Sequence, residues 1–200
     1  HLRGFLAGHG EKGFQHRHHE VHRREVIVQQ DDLVHRRPRR LRARGLDHGA
    51  WVPLRLMFPD ADVPVIPLSI QSRGGATQAY QLGQALAPLA RRGFLVIASG
   101  NITHNLRDYQ VAARNSGQTP AYVRDFTDWL AARLASRDIP ALLDYRRQAP
   151  GAVQAHPSDE HLLPLYVALG AGGDNARSER FHAGIDDYVI AMDAYSFLPQ

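Results

Sequence analysis

Three histidines of this 200-residue chain stand where an imidazole can do chemistry: His48, His104 and His161. His48 sits in a Gly-bracketed turn, Gly45-Leu46-Asp47-His48-Gly49-Ala50-Trp51, beside an aspartate able to orient its ring. His104 lies in Ala98–Leu106, just past the apolar run Phe94-Leu95-Val96-Ile97, where a buried strand is expected to run out into a loop. Strand-end loops are where open α/β sheets place their reactive groups. His161 is expected in the first turn of a helix over Ser158–Leu169, N-capped by Ser158, with Asp159 and Glu160 beside it. Neutral imidazole is the commonest metal ligand and a good proton carrier near neutral pH. Each also has a plainer reading: a hydrogen-bonded turn residue, a strand-end residue satisfied by backbone, a solvated first-turn side chain. No two share a His-x-x-x-His spacing, so spacing alone makes no metal site. His156 and His182 read as surface or structural residues.

The elements that must position these residues follow from the apolar pattern. Val52–Phe58 is expected to form one or two helical turns, and Val63–Ile70 a strand that Pro64 and Pro67 keep from a central position. Thr77–Arg92 reads as a helix ending at Gly93, and Phe94–Ala98 as the next strand. Leu106–Gln118 is a loop or short helix, and Ala121–Ser136 a helix with Tyr122, Phe126, Trp129, Leu130 and Leu134 at helical spacing. Ile139–Tyr145 continues helically, Arg146–Pro157 connects, Gly170–Ser178 is a loop, and Phe181–Ile190 and Ala191–Leu198 are strands. Alternating strands and helices predict an α/β fold. Trp51 and Trp129 are expected in the core.

Composition narrows the chemistry. With no cysteine, disulfides, thiolate metal sites and Cys nucleophiles are excluded, so a metal would be held by His and carboxylate, favouring iron, zinc or manganese. No apolar run approaches the roughly 20 residues of a membrane span, and a cytoplasmic location is expected. The Gly-x-Ser-x-Gly and Gly-x-x-x-x-Gly-Lys-Ser/Thr patterns are absent. Residues 1–43 carry ten Lys/Arg against five Asp/Glu and hold seven of the twelve histidines, whereas residues 44–200 carry fourteen against fifteen. The basic character therefore belongs to a leader, expected to be a disordered, solvated segment. A nucleic-acid arm and a stretch translated out of frame are the alternatives.

Three segments carry a resemblance. The first is Gly45–Trp51 followed by Met57-Phe58-Pro59-Asp60-Ala61-Asp62-Val63-Pro64-Val65 and Leu68-Ser69-Ile70. The second is Ala98-Ser99-Gly100-Asn101-Ile102-Thr103-His104-Asn105-Leu106-Arg107. The third is His156-Pro157-Ser158-Asp159-Glu160-His161-Leu162-Leu163-Pro164-Leu165. In this order and spacing they resemble the class III extradiol ring-cleavage dioxygenases, in their 4,5-DOPA extradiol dioxygenase-like branch, and Ala191–Phe197 is similar to that branch too. The resemblance covers residues 44–200. It implies a single α/β domain with a central mixed sheet flanked by helices, and one Zn2+ or Fe2+ per site. It also implies a small aromatic diol and O2 as reactants; no membrane partner is expected, and nucleic-acid binding through the basic leader stays an alternative. By resemblance, His104 and His161 match two metal ligands, and His48 matches the pocket histidine suited to acid/base work.

The chain departs from the family at its N-terminal side. The family supplies two further ligands there, in a Ser-His-Gly-Ser-Pro-like loop and a Ser-Ala-His-Trp-like strand end. Neither is matched; Ala7-Gly8-His9-Gly10 is superficially similar to the first but lies too close to His48. The expectation is an N-terminally incomplete catalytic domain behind an unrelated leader, with a half-assembled site.

Overall fold

In a computed structural model of the chain, the structure describes residues 25–30, 46–71, 73–115 and 117–198. Three strands form a parallel sheet: β1 (Glu25–Gln30), β2 (Val65–Ser69) and β3 (Phe94–Ala98), in the order β2-β1-β3. β1 is central, with Val26 opposite Val65 on one side and Val28 opposite Ile97 on the other. The edge place of β2 explains how it tolerates Pro67, which has no N–H to give a ladder. β1 also falls inside the basic leader, at its one β-branched stretch. The remaining expectations for that segment, His9 included, lie outside the described residues.

Helices cover the sheet on two sides. α1 (His48–Met57) packs on the sheet, where Ala50 and Leu54 cluster with Phe58 and Val63, with Val65 of β2 and with Leu95 and Ile97 of β3. α2 (Gly75–Ala90) crosses from β2 to β3 and lies against α8 (Leu163–Ala171). The two helices meet backbone to backbone. A Cβ on Gly83 would stand 2.2 Å from the Val167 carbonyl oxygen, and one on Gly170 2.3 Å from that of Tyr80. Only glycine permits that approach.

The main core gathers around α8 and takes in Ala76, Ala79 and Tyr80 of α2. Between β3 and α8 run α3 (Leu106–Asn115), α4 (Ala121–Ser136), α5 (Ile139–Leu143), α6 (Tyr145–Gln148) and α7 (Ala152–Ala155). Phe126, Leu130, Leu142, Leu162, Leu163, Tyr166, Val167 and Leu169 are fully buried there. The chain ends in two antiparallel pairs, β4 (Arg177–His182) with β7 (Ala194–Leu198) and β5 (Ile185–Asp186) with β6 (Ile190–Ala191). Parallel and antiparallel pairing thus both occur in an α/β fold, in separate sheets.

β3 and α4 fall where the sequence puts them. Two local expectations are corrected. Trp51 is 46% exposed rather than in the core, because α1 turns only Ala50 and Leu54 inward. The helix expected from Ser158 begins at Leu163, with Pro164 in its first turn, where a missing N–H costs nothing. Residues 158–162 form bends and a turn, in which the Leu162 and Leu163 N–H groups donate to the Asp159 carbonyl at 2.8 and 3.0 Å; Arg146 Nη1 donates to the His156 carbonyl at 3.0 Å and to Asp159 Oδ1 at 2.9 Å.

Candidate functional site

The site is built where the loop after β3 meets the turn before α8. The loop from Ser99 to Asn105 has no regular structure of its own, so its polar groups need partners elsewhere. It finds them in two segments. The Asn101 N–H donates to the His161 carbonyl at 2.9 Å, and the His104 N–H to that of Ala155 at 2.8 Å. The Ile102 N–H donates to the Ala191 carbonyl at 3.0 Å, and the Thr103 hydroxyl to that of Val189 at 2.7 Å. The Ala191 N–H returns a bond to the Thr103 hydroxyl at 2.8 Å. Gly100 is required by proximity: a Cβ there would stand 2.1 Å from the His161 carbonyl oxygen.

Asn105 closes the loop and starts α3. Its side-chain oxygen accepts from the Arg107 and Asp108 N–H groups, both at 3.1 Å, while its amide nitrogen donates to the Gln154 carbonyl at 2.8 Å. An asparagine before Leu-Arg-Asp is an N-cap signal that sequence reasoning passed over. His156, expected at the surface or in a structural place, takes the structural one. Its ring is fully buried, edge-on to Phe126, and its Nε2–H donates to the Ile102 carbonyl at 2.7 Å.

This lacing brings two of the three expected histidines together. The His104 and His161 rings stack with centroids 3.5 Å apart and planes 17° from parallel. Burial lowers the pKa of His104 and the neighbouring His161 imidazole lowers it further, against a smaller opposing pull from Glu160. For His161, burial again leads the downward shift; the Glu160 carboxylate, 3.6 Å from Nδ1, pulls up and His48 pushes down. Burial acts upward on Glu160 itself but is outweighed by the Ser158 hydroxyl bond, its own backbone bond and the two imidazoles, leaving it a carboxylate.

His48 stands in electrostatic range of His161 but on another element. It is the first residue of α1 and exposed. Its helix start lies beside the loop after β3, since a Cβ on Gly49 would meet the Ser99 hydroxyl oxygen at 3.5 Å. Asp47 serves the helix rather than the ring. It is the N-cap, and its Oδ1 accepts from the Ala50 N–H at 3.2 Å. His182 is exposed on β4, away from these contacts.

The donor chemistry suits a zinc or ferrous ion, since both imidazoles are held toward the neutral form that binds metal. The donor number does not fill a coordination sphere. Among the described residues no three His, Asp or Glu groups converge as a metal site requires. The stacked rings would also have to spread to share an ion.

Comparison with known proteins gives this arrangement a context. The family model for the catalytic LigB subunit of aromatic ring-opening dioxygenase matches residues 21–191. The chain is 43% identical over 154 residues to a 4,5-DOPA dioxygenase extradiol of Beta vulgaris, covering 77% of this chain and 56% of that protein. It is 36% identical over 132 residues to a protein of the same name from Escherichia coli K12, covering 64% and 48%. The chain therefore spans about half the length of the curated relatives it matches. In three dimensions it superposes on the crystal structure of the uncharacterized protein JW3007 from Escherichia coli K12 with a TM-score of 0.69 and 25% identity. That match covers 86% of this chain and 85% of the other.

Proposed function

This chain belongs to the family of the catalytic LigB subunit of aromatic ring-opening dioxygenases, and on that premise we propose that its site serves extradiol opening of a DOPA-like catechol by O2. His104 and His161 would hold a zinc or ferrous ion, and His48 would act as the acid/base histidine. The observation that carries the reading is the meeting of His104 and His161, from segments 57 residues apart, as two partly buried imidazoles with depressed pKa values. Either ion would supply Lewis acidity toward the diol oxygens when bound, and ferrous iron, unlike redox-inert zinc, would also supply a redox partner for O2. The chain's own groups do the rest. His48, exposed at the start of α1, is free to take a diol proton on arrival of the substrate and return it to the opened product. The buried lacing of residues 100–105 keeps His104 and His161 from drifting as substrate enters.

One observation favours a second reading, a non-catalytic chain: only two metal donors meet among the described residues. Both readings meet the same experiment. The full chain is incubated with ferrous iron or zinc, dialysed, analysed for metal, and given DOPA and other catechols in air. One retained metal per chain and a yellow ring-opened product are expected, with His104→Ala and His161→Ala each losing both. No metal retained at micromolar concentration would defeat the catalytic reading and leave the second standing.

A further inference from the structure

The proposed chemistry does not use His156, yet its ring is fully buried beside the loop that carries His104. Packing alone does not call for a histidine there. A leucine or phenylalanine would fill the space against Phe126 without burying a ring nitrogen, and Nδ1 of His156 has no hydrogen-bond partner. An unpaired buried acceptor is a cost that sequences seldom keep without return. The visible return is the other nitrogen. Since a carbonyl can only accept, the 2.7 Å contact to Ile102 requires the Nε2–H tautomer, in which Nδ1 is the bare atom.

We infer that His156 is a positioning residue: its Nε2–H, together with the adjacent Ala155 carbonyl, fixes where His104 stands relative to His161. The two bonds grip the loop at residues 102 and 104, on either side of Thr103. They add to the bonds that Ile102 and Thr103 make to Ala191 and Val189, and among the described residues they alone hold the loop to the segment at residues 155–156 through both 102 and 104. The same segment is anchored at its other side by Arg146, which holds the His156 carbonyl and Asp159 two residues before His161. The imidazole therefore ties one histidine's loop to the other histidine's turn through atoms that never touch substrate. Its consequence at the metal rests on the function proposed above; the hydrogen bond itself does not.

The test uses the full chain, wild type and with His156→Gln, whose amide N–H can reach the same carbonyl, and His156→Leu, which cannot. Long-range proton–nitrogen spectra of the wild-type ring should show Nε2 protonated and Nδ1 bare; the opposite tautomer overturns the inference whatever the variants do. Amide hydrogen exchange at His104 should rise about tenfold in His156→Leu relative to the Phe126 amide in α4, and stay near wild type in His156→Gln. No rise, or an equal rise at both amides, overturns it. Zinc affinity should fall roughly 10- to 100-fold in His156→Leu and be largely kept in His156→Gln. A folded His156→Leu chain that binds zinc like the wild type also overturns the inference. If the wild type takes up no zinc, the metal-centre reading fails by itself, while the tautomer and the exchange at His104 still decide the positioning role.

Discussion

The two sides of the site are held in different ways. His104 and His161 stand on segments laced through buried atoms: His156, Thr103 and the backbone of Asn101, Ile102 and His104. Behind them lies a core in which Phe126, Leu130, Leu162 and Tyr166 have no exposure at all. His48 stands on α1, which buries only Ala50 and Leu54 and leaves Trp51, Val52, Leu56 and Met57 open, Leu56 at 81%. A firmly laced side and a lightly held side thus divide the candidate site. The division suits the proposed roles, because a metal-binding pair gains from fixed geometry and a proton carrier does not.

Truncation should expose that contrast most strongly. Phe126→Ala removes a fully buried ring from the core and from the edge of His156, and should cost about 3–5 kcal/mol. Leu56→Ala, on α1, should change stability by no more than about 0.5 kcal/mol. Urea denaturation of both variants reads the difference. Similar losses from the two would mean that α1 is as firmly integrated as α4, and the contrast would collapse.

The same contrast decided what the sequence could reveal. Phe94–Ala98 and Ala121–Ser136 were legible to the residue, because each is a run whose apolar period is satisfied by its own packing. The histidines at 48, 104 and 161 stood out by their settings and by family resemblance. Their lacing did not, since it depends on backbone groups such as the Ala155 and Ala191 carbonyls that carry no side-chain signature. His156 was read as surface or structural, and nothing local in His-Pro-Ser marks a ring that reaches the carbonyl of Ile102, 54 residues away. α8 starts later than its local signals predict: Ser158-Asp159-Glu160 is a good helix opening, yet the Asp159 side chain pairs with Arg146, 13 residues away, and the helix begins at Leu163.

Acid should loosen the firmly laced side first. Burial drives the His156 pKa down to about 4, from an ordinary value near 6.5. Between those values the unfolded chain takes up a proton that the folded ring refuses. The folded state is therefore undiminished by this group above about pH 6.5 and loses ground as pH falls toward 4. At pH 5 the loss from His156 alone should be about 2 kcal/mol. Denaturation midpoints at pH 7 and pH 5 measure it, with His156→Gln as the chain that lacks the titrating ring. A wild-type decline no steeper than that of His156→Gln would remove the buried imidazole as its source.

The smallest effect should come from the fastening of the lightly held side. Asp47 caps α1 through Oδ1, and its backbone carbonyl accepts from the N–H groups of Ala50 and Trp51 at 3.1 and 2.9 Å. Replacing the side chain by alanine should cost about 1 kcal/mol, toward the low end for a cap, because the other carboxylate oxygen is buried without a partner and its removal gives something back. The loss should stay local. Exchange of the Ala50 amide should quicken in Asp47→Ala and return with Asp47→Asn, which keeps an acceptor oxygen, while the His104 amide, bonded to Ala155, keeps its wild-type rate. If loosening the start of α1 also released His104, the two sides would be one cooperative unit, and His48 would owe its place to the same lacing as the stacked pair.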